Sequence, residues 1–319
     1  MPLNIALMVV GAAILVGGGE ILIRGAAALA RTLGISATIV GLTVVAYGTS
    51  APEFVVSVMA TLDDKPGICA GNIVGSNILN VLLVLGVTAL IYPIQATAVF
   101  VRREVPIMVG VSVLFLFLSR NGDLARPEAA VLVFLLFGYT ALTVWIAKRE
   151  KASVAREYED VQPSPMKRTI AVNLLLIVVG LAMLGGGSEL FLRGAVEIAK
   201  AIGISDSIIG LTLVAFGTSF PELAACVVAA YRKHPDICLG NVIGSSIYNL
   251  LAIGGISGLI TPLPFEPDMI RVHIPLMAGA AVLLWPMVTT SFRISRREGL
   301  ILLTCYTLFM IWTILRQTR

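Results

Sequence analysis

Long apolar runs alternate along the chain with short clusters of charged residues, proline and glycine. Ten runs approach the roughly 20 residues that a helix needs to cross the hydrocarbon core of a bilayer. They cover residues 3–30, 37–62, 69–92, 104–119, 127–147, 170–200, 206–230, 238–262, 271–290 and 297–315. The run at 104–119 is short, but an equivalent run follows residue 270 and supports it. The one long polar stretch, Lys148 to Arg168, divides the runs five and five. The pattern predicts an all-α polytopic membrane protein of ten transmembrane helices. One five-helix half spans residues 1–147, a linker 148–168, and a second half 169–319.

Composition sharpens this. Of 319 residues, 57% are hydrophobic and only 13% charged, and the mean hydropathy is +0.94. Soluble domains carry roughly 25% charged residues, so a water-soluble enzyme is excluded, as are disorder, coiled coil, collagen and a disulfide scaffold. The net charge of +4 does not point to nucleic acid, because the basic residues are spread among the loops. With the N-terminus outside, 15 of the 23 Lys and Arg residues fall on one side of the membrane, among them Arg24, Arg31, Arg232 and the whole central linker. The positive-inside rule makes that side cytoplasmic. Both termini then face outward, and a prokaryotic plasma (inner) membrane is the expected location. The first run is longer than a signal-peptide core, has no basic leader and has a counterpart in mid-chain, so it reads as part of the fold. Cys69, Cys226, Cys238 and Cys305 lie in apolar segments without metal-ligand spacing and read as small packing residues; His234 and His273 lie at loop edges, too far apart for a metal cluster.

The most informative feature is an internal repeat at an offset of 169 residues. GISATIVGLTVVAYGTSAPE (34–53) lies over GISDSIIGLTLVAFGTSFPE (203–222), with 14 of 20 positions identical. The same register pairs Glu20 with Glu189, Arg24 with Arg193, Cys69 with Cys238, and GNIVGSNILN (71–80) with GNVIGSSIYN (240–249). Each half has five spans, an odd number, so the second enters the membrane from the opposite side. Inverted repeats of this kind build secondary transporters, with the site at the bilayer midplane between the halves. The inversion also sets Cys69 and Cys238 at opposite membrane faces, too far apart for a disulfide.

Two motifs carry chemistry in both copies. In GTSxPE (48–53 and 217–222), proline breaks the helical ladder near mid-span and crowds the carbonyl at Gly48 or Gly217, so nearby carbonyls can turn toward a ligand. Glu53 and Glu222 would each cost several kcal/mol facing lipid, so they must be protonated, paired or bound to a cation. No Lys or Arg lies at comparable depth. Thr49, Ser50, Thr218 and Ser219 add hydroxyls within one turn. In the third span of each half, Ser76 and Asn80, and Ser245 and Asn249, are spaced i, i+4 and share a helix face. Gly71 and Gly75, and Gly240 and Gly244, give small-xxx-small spacing for close helix approach. The inventory is entirely oxygen and amide, which suits hard cations such as Ca²⁺ and Na⁺ and not zinc or copper. Two carboxylates balance one Ca²⁺, two Na⁺ or two protons, a site built to exchange one dication for monovalent ions.

These paired GTSxPE and GN-x-x-GS motifs resemble the α-repeats of the calcium/cation antiporter superfamily, and most closely its prokaryotic sodium/calcium exchanger branch. The resemblance covers nearly the whole chain. It implies Ca²⁺/Na⁺ antiport by alternating access and no enzymatic activity. It makes Glu53 and Glu222 the principal cation ligands, with Thr49, Ser50, Ser76, Thr218, Ser219 and Ser245 supplying oxygens, Ala46 and Ala215 supplying carbonyls, and Asn80 and Asn249 lining the site. It also implies that the long spans at 3–30 and 170–200 slide across the rest. The chain departs from the family pattern at Asn249, where many sodium/calcium exchangers carry Asp. The site is therefore more symmetric and less negative, and the alternatives of Ca²⁺/H⁺ antiport and K⁺-dependent exchange stay open. The linker is too short for a calcium-sensing domain.

Blander roles stand beside these. A plain proline kink with a buried Glu bonded to hydroxyls is the weaker reading of GTSxPE, because intramembrane acids are functional by default; the serines and asparagines could serve as interhelical hydrogen bonds. Glu20 and Glu189 either serve the ion path or pair with Arg24 and Arg193 one turn on. Asn72 and Asn241 are expected to cap the third spans or line the entrance. Trp145, Trp285 and Trp312 read as interface anchors. A passive channel is disfavoured because channels repeat around an axis along the pore. An intramembrane enzyme lacks a nucleophile motif and leaves the prolines and serines without a role. The expected partners are the lipid bilayer and inorganic cations (Ca²⁺ and Na⁺, with H⁺ or K⁺ as alternatives); no organic cofactor, nucleic acid or obligate protein partner is called for.

Overall fold

A computed structural model describes residues 2–157, 170–201 and 215–317. Apart from four two-residue strands, the regular structure there is helical. In the first half, α1 (Pro2–Leu33) is followed by the bent pair α2 (Ala37–Thr49) and α3 (Ala51–Leu62), then α4 (Pro66–Ile91), α5 (Val105–Leu118) and α6 (Arg126–Glu157). The second half has α7 (Ile170–Ala201), α8 (Ala215–Thr218), α9 (Phe220–Tyr231), α10 (Pro235–Ile260), α11 (Met269–Ser291) and α12 (Arg296–Gln317). Among the described residues, seven helices are long and apolar enough to cross a membrane, and eight when the bent pair α2–α3 counts as one span. The other two predicted spans correspond to α5, which a π-helical turn at Phe100–Glu104 extends, and to α9. Residues 206–214 of the predicted span 206–230, and residues 158–168 of the predicted linker, lie outside the described residues.

One boundary differs from the sequence expectation. Residues 148–157, read as linker, continue α6 as helix. The segment KREKASVARE is rich in Lys, Glu, Ala and Arg, all good helix formers, and contains no glycine or proline. Helix therefore propagates past the apolar boundary into the polar stretch.

Glycines position the two longest helices. Gly11, Gly18 and Gly25 of α1 recur every seven residues, as do their counterparts Gly180, Gly187 and Gly194 of α7. A Cβ at Gly11 would sit 2.6 Å from the Phe191 nitrogen and 2.8 Å from the Gly187 oxygen, and one at Gly180 would sit 2.7 Å from the Leu22 nitrogen and 2.9 Å from the Gly18 oxygen. Only hydrogen fits at those points, so the two backbones come into direct contact along their length. Low residue numbers of α1 meet high numbers of α7, so these equivalent helices run antiparallel, as an inverted repeat demands.

The ties between the halves obey the same two-fold relation. Strand β1 (Ile94–Gln95) pairs antiparallel with β4 (Arg293–Ile294), and β2 (Asp123–Leu124) with β3 (Leu263–Pro264). β1 and β3 occupy equivalent places in the two halves, as do β2 and β4, so exchanging the halves leaves the pairing unchanged. Arg126 at the start of α6 donates to the Leu259 and Ile260 carbonyls, both at 3.2 Å, and Arg296 at the start of α12 donates to Leu90 at 3.1 Å and Ile91 at 3.5 Å. Each guanidinium caps the carbonyl end of the opposite half's third span, where a cation is favoured.

Close approach also assembles the centre. A Cβ at Gly244 would lie 2.5 Å from the Leu42 oxygen, and one at Gly240 would lie 3.0 Å from the Thr38 oxygen. α10 thus lies directly on α2, and the polar residues of its GNVIGSSIYN segment face the break between α2 and α3.

Candidate cation-binding site

Each GTSxPE motif forms a break between two helices. In the first half, α2 ends at Thr49, Ser50 leaves helical geometry at φ −82° and ψ 4°, and α3 begins at Ala51 after a bend of 43°. Ser219 plays the same part between α8 and α9, with φ −96° and ψ 7°. Pro52 and Pro221 are then second residues of new helices, where their missing N–H is no loss. Glu53 and Glu222 fall in the first turn of α3 and α9, the end of a helix dipole that favours negative charge. The carbonyl that Pro221 displaces, at Gly217, accepts a short hydrogen bond from the Ser188 hydroxyl of α7.

The two breaks meet at the centre of the protein. The Ser50 hydroxyl donates to Glu222 Oε1 at 3.1 Å, and the Ser219 hydroxyl donates to Glu53 Oε1 at 3.0 Å. Both carboxylates are buried, at 1% and 0% exposure. Their other oxygens, Glu53 Oε2 and Glu222 Oε2, are equally buried and meet no hydrogen-bond partner. Neither carboxylate belongs to an ion pair among the described residues.

Ser76, Ser245 and Ala46 meet the same breaks. Ser76 Oγ lies 3.3 Å from Ser219 Oγ. The Ser245 hydroxyl donates to the Ala46 carbonyl at 3.3 Å, an oxygen that also accepts from the Ser50 N–H at 3.0 Å. Thr49 and Thr218 reach across to the opposite half, as described below. Asn80 and Asn249 are each 1% exposed, and both amide atoms of each are buried without a hydrogen-bond partner. They lie in equivalent π-helical turns, Leu79–Val84 and Asn249–Gly254, a widening of the helix often found at functional sites. Ala215 opens the short helix α8.

For two residues, one of the expected places is excluded. Asn72 and Asn241 do not cap the third spans, which begin at Pro66 and Pro235, more than a turn earlier. Instead Asn241 Oδ1 accepts from the Thr49 hydroxyl at 3.0 Å, and Asn72 Oδ1 accepts from the Thr218 hydroxyl at 3.4 Å. The Asn72 amide also donates to Ser57 Oγ at 2.9 Å and to the Glu53 carbonyl at 3.2 Å. Sequence position alone suggested a cap or a place at the entrance; packing between the two breaks puts the amides beside the threonines.

Glu20 and Glu189 are not in this cluster. Glu20 pairs with Arg24 and with Arg232, and Glu189 with Arg193 at 2.6 Å. A second buried carboxylate cluster, unremarked in the sequence, holds Glu104 between Arg103 and the Tyr139 hydroxyl at 3.1 Å. The four cysteines are free thiols. Among the described residues, no three His, Cys, Asp or Glu side chains gather into a metal centre of the usual kind. The central group is thus two carboxylates, two amides and hydroxyl oxygens drawn equally from both halves. It is a set for a partly dehydrated hard cation, with ligands contributed through oxygen.

Known proteins fit this description. The family model of the sodium/calcium exchanger protein matches residues 3–145 and 172–315. A putative antiporter, CaxA of Alkalimonas amylolytica, is 38% identical over 271 residues, covering 82% of this chain and 83% of its own. The sodium/calcium exchanger MaX1 of Methanosarcina acetivorans is 31% identical over 302 residues, covering 84% and 86%. The solved structure of the sodium-calcium exchanger NCX_Mj soaked with 2.5 mM Na⁺ and 1 mM Sr²⁺ superimposes with a TM-score of 0.83 at 31% identity, covering 97% of this chain and 98% of that one. The chain is an integral membrane transporter, not an enzyme, and belongs to the sodium/calcium exchanger family.

Proposed function

We propose that this protein exchanges Ca²⁺ for Na⁺ by alternating access at a single midplane site shared by its two halves. The observation that carries this is the pair of buried carboxylates that meet across the two breaks, each with one oxygen that has no partner. Buried polar atoms are almost always satisfied. One turn beyond Ser76 and Ser245, the amides of Asn80 and Asn249 are likewise buried without partners, a symmetric arrangement that suits a transported cation. Glu53 and Glu222 supply the charge. Thr49, Ser50, Ser76, Thr218, Ser219 and Ser245 supply hydroxyl oxygens, and Ala46 and Ala215 supply carbonyls. Two negative charges are neutralised by one Ca²⁺ or two Na⁺, so the two ions compete for the same ligands.

The long helices α1 and α7, one from each half, slide across the rest to alternate access, and the linker 148–168 joins the halves 1–147 and 169–319. The excess of Lys and Arg on one side places that linker in the cytoplasm and both termini outside, in a plasma (inner) membrane. Asn249 favours a second reading. Without a third carboxylate, the same pair also balances two protons, and Ca²⁺/H⁺ antiport uses the same residues.

Proteoliposomes separate these readings. Vesicles loaded with Na⁺ and diluted into Na⁺-free medium take up ⁴⁵Ca²⁺ if the exchange is sodium-coupled. Uptake driven only by an outward H⁺ gradient supports proton coupling. No Ca²⁺ flux under either gradient from folded protein contradicts both.

A further inference from the structure

A threonine hydroxyl carries one proton and two lone pairs, and only the lone pairs can ligate a cation. Where the proton goes therefore decides whether the oxygen is a ligand. Thr49 is 1% exposed; its hydroxyl reaches Asn241 Oδ1 at 3.0 Å and the Ala46 carbonyl at 3.3 Å, and the Glu222 carboxylate is a third acceptor beside it. Donation to Asn241 leaves the Ala46 oxygen to other partners. Donation to Ala46 would consume one candidate carbonyl and swing the threonine lone pairs with it.

The amides are themselves held. Cys226 donates its thiol proton to the Cys238 carbonyl at 3.6 Å, which leaves its sulfur as the acceptor for Asn241 Nδ2 at 3.7 Å. With the NH₂ group turned to sulfur, the amide oxygen must face Thr49. In the first half the Asn72 NH₂ group is anchored by Ser57 Oγ and the Glu53 carbonyl, and its oxygen accepts from the hydroxyls of Thr218 and Ser76, both at 3.4 Å. Both amides thus present oxygen, not nitrogen, to a threonine of the opposite half.

We propose that Asn72 and Asn241 are positioning residues of the transport site: each takes the hydroxyl proton of the opposite half's threonine and thereby aims that oxygen's lone pairs at the cation. This rests on the cation-site reading above and adds to it the control of hydroxyl orientation. The two anchors differ. Ser57 and the Glu53 carbonyl hold Asn72 through two oxygen acceptors, whereas a thiol, a weaker acceptor, holds Asn241. The threonine bonds differ the other way: Thr49 meets Asn241 at 3.0 Å and Thr218 meets Asn72 at 3.4 Å.

The test is a double-mutant cycle read by equilibrium Ca²⁺ binding to the purified full-length protein in detergent. Asn241→Leu and Thr49→Val should each weaken Ca²⁺ binding by up to about tenfold, the upper size of one neutral hydrogen bond. The double variant should bind no more weakly than the weaker single, because the amide acts only through that hydroxyl. Asn241→Asp, which keeps the acceptor oxygen, should restore the sensitivity to Thr49→Val. If Asn241→Leu does not fold, Asn241→Ala carries the same cycle. Losses that multiply in the double variant, or an Asn241→Leu protein that binds Ca²⁺ as wild type does, would overturn the proposal and leave Asn241 a packing residue. Wild-type protein that binds neither Ca²⁺ nor Na⁺ would overturn the underlying site instead.

Discussion

The two halves match most closely at the centre and diverge outward. The inner bonds are near mirror images, Ser50 to Glu222 at 3.1 Å and Ser219 to Glu53 at 3.0 Å. One layer out, Ser57 is replaced by Cys226 and Gly19 by Ser188 at equivalent positions. Two layers out, Asp63 at the end of α3 is replaced by Arg232 at the end of α9. The last change alters how the long helices are held. Glu20 of α1 pairs with Arg232, and Gly19 beside it lets Val228 of α9 approach its backbone, to 3.0 Å from where a Cβ would stand. The equivalent contact for α7 would set Glu189 against Asp63, two carboxylates. Glu189 instead remains 57% exposed, and among the described residues its ion pair is with Arg193. A symmetric centre thus sits beside an asymmetric periphery: the Ser–Glu bonds repeat in both halves, and the Glu20–Arg232 pair does not.

The largest expected effect breaks the symmetric part. Glu53→Gln and Glu222→Gln should each reduce Ca²⁺ flux in proteoliposomes by more than about 100-fold, because each removes one of two charges that a bound cation needs in a low-dielectric site. A variant pair in which only one is inactive would show that the halves are not equivalent partners. Next in size is the antiparallel glycine contact. Gly180→Val forces a side chain against the α1 backbone and should cost about 1–3 kcal/mol, read as a lowered thermal midpoint in detergent. Gly185→Val, with nothing within 4 Å of its Cβ position, should not. A smaller change sharpens the charge argument. Asn249→Asp adds a third carboxylate and should raise Ca²⁺ affinity over Na⁺ by roughly tenfold, and Asn80→Asp should do the same by symmetry. The smallest effect concerns the holdfast. Exposed ion pairs contribute roughly 0.2–1 kcal/mol, so Arg232→Gln should speed thiol labelling of a cysteine placed at Val228, under Gly19, by no more than about five-fold. Glu189→Gln should leave that rate unchanged.

Much of this was legible in the sequence because the repeat doubles every signal. Ten apolar runs, the odd span count and the ungapped offset over GTSxPE already imply an inverted architecture, and two prolines beside two carboxylates mark the breaks. What the sequence does not carry is which half each side chain touches. Asn72 and Asn241 read as caps along the chain, but packing of α10 on α2 turns Asn241 to Thr49, nearly two hundred positions away. The π-helical turns that hold Asn80 and Asn249 leave no compositional trace, since ordinary apolar residues fill them. The seven-residue spacing of Gly11, Gly18 and Gly25 was readable, as was its repetition in α7, yet its meaning depends on the partner helix. The extension of α6 to Glu157 follows from helix propensity, which hydropathy does not measure.

A single site built from both halves is the central claim, and Ca²⁺ binding stoichiometry tests it most directly. Isothermal titration of the purified protein should give one Ca²⁺ per chain for wild type and no measurable binding for either Glu53→Gln or Glu222→Gln. Two Ca²⁺ per chain in wild type, with one lost in each variant, would mean that each half holds its own ion, and the shared site would be wrong.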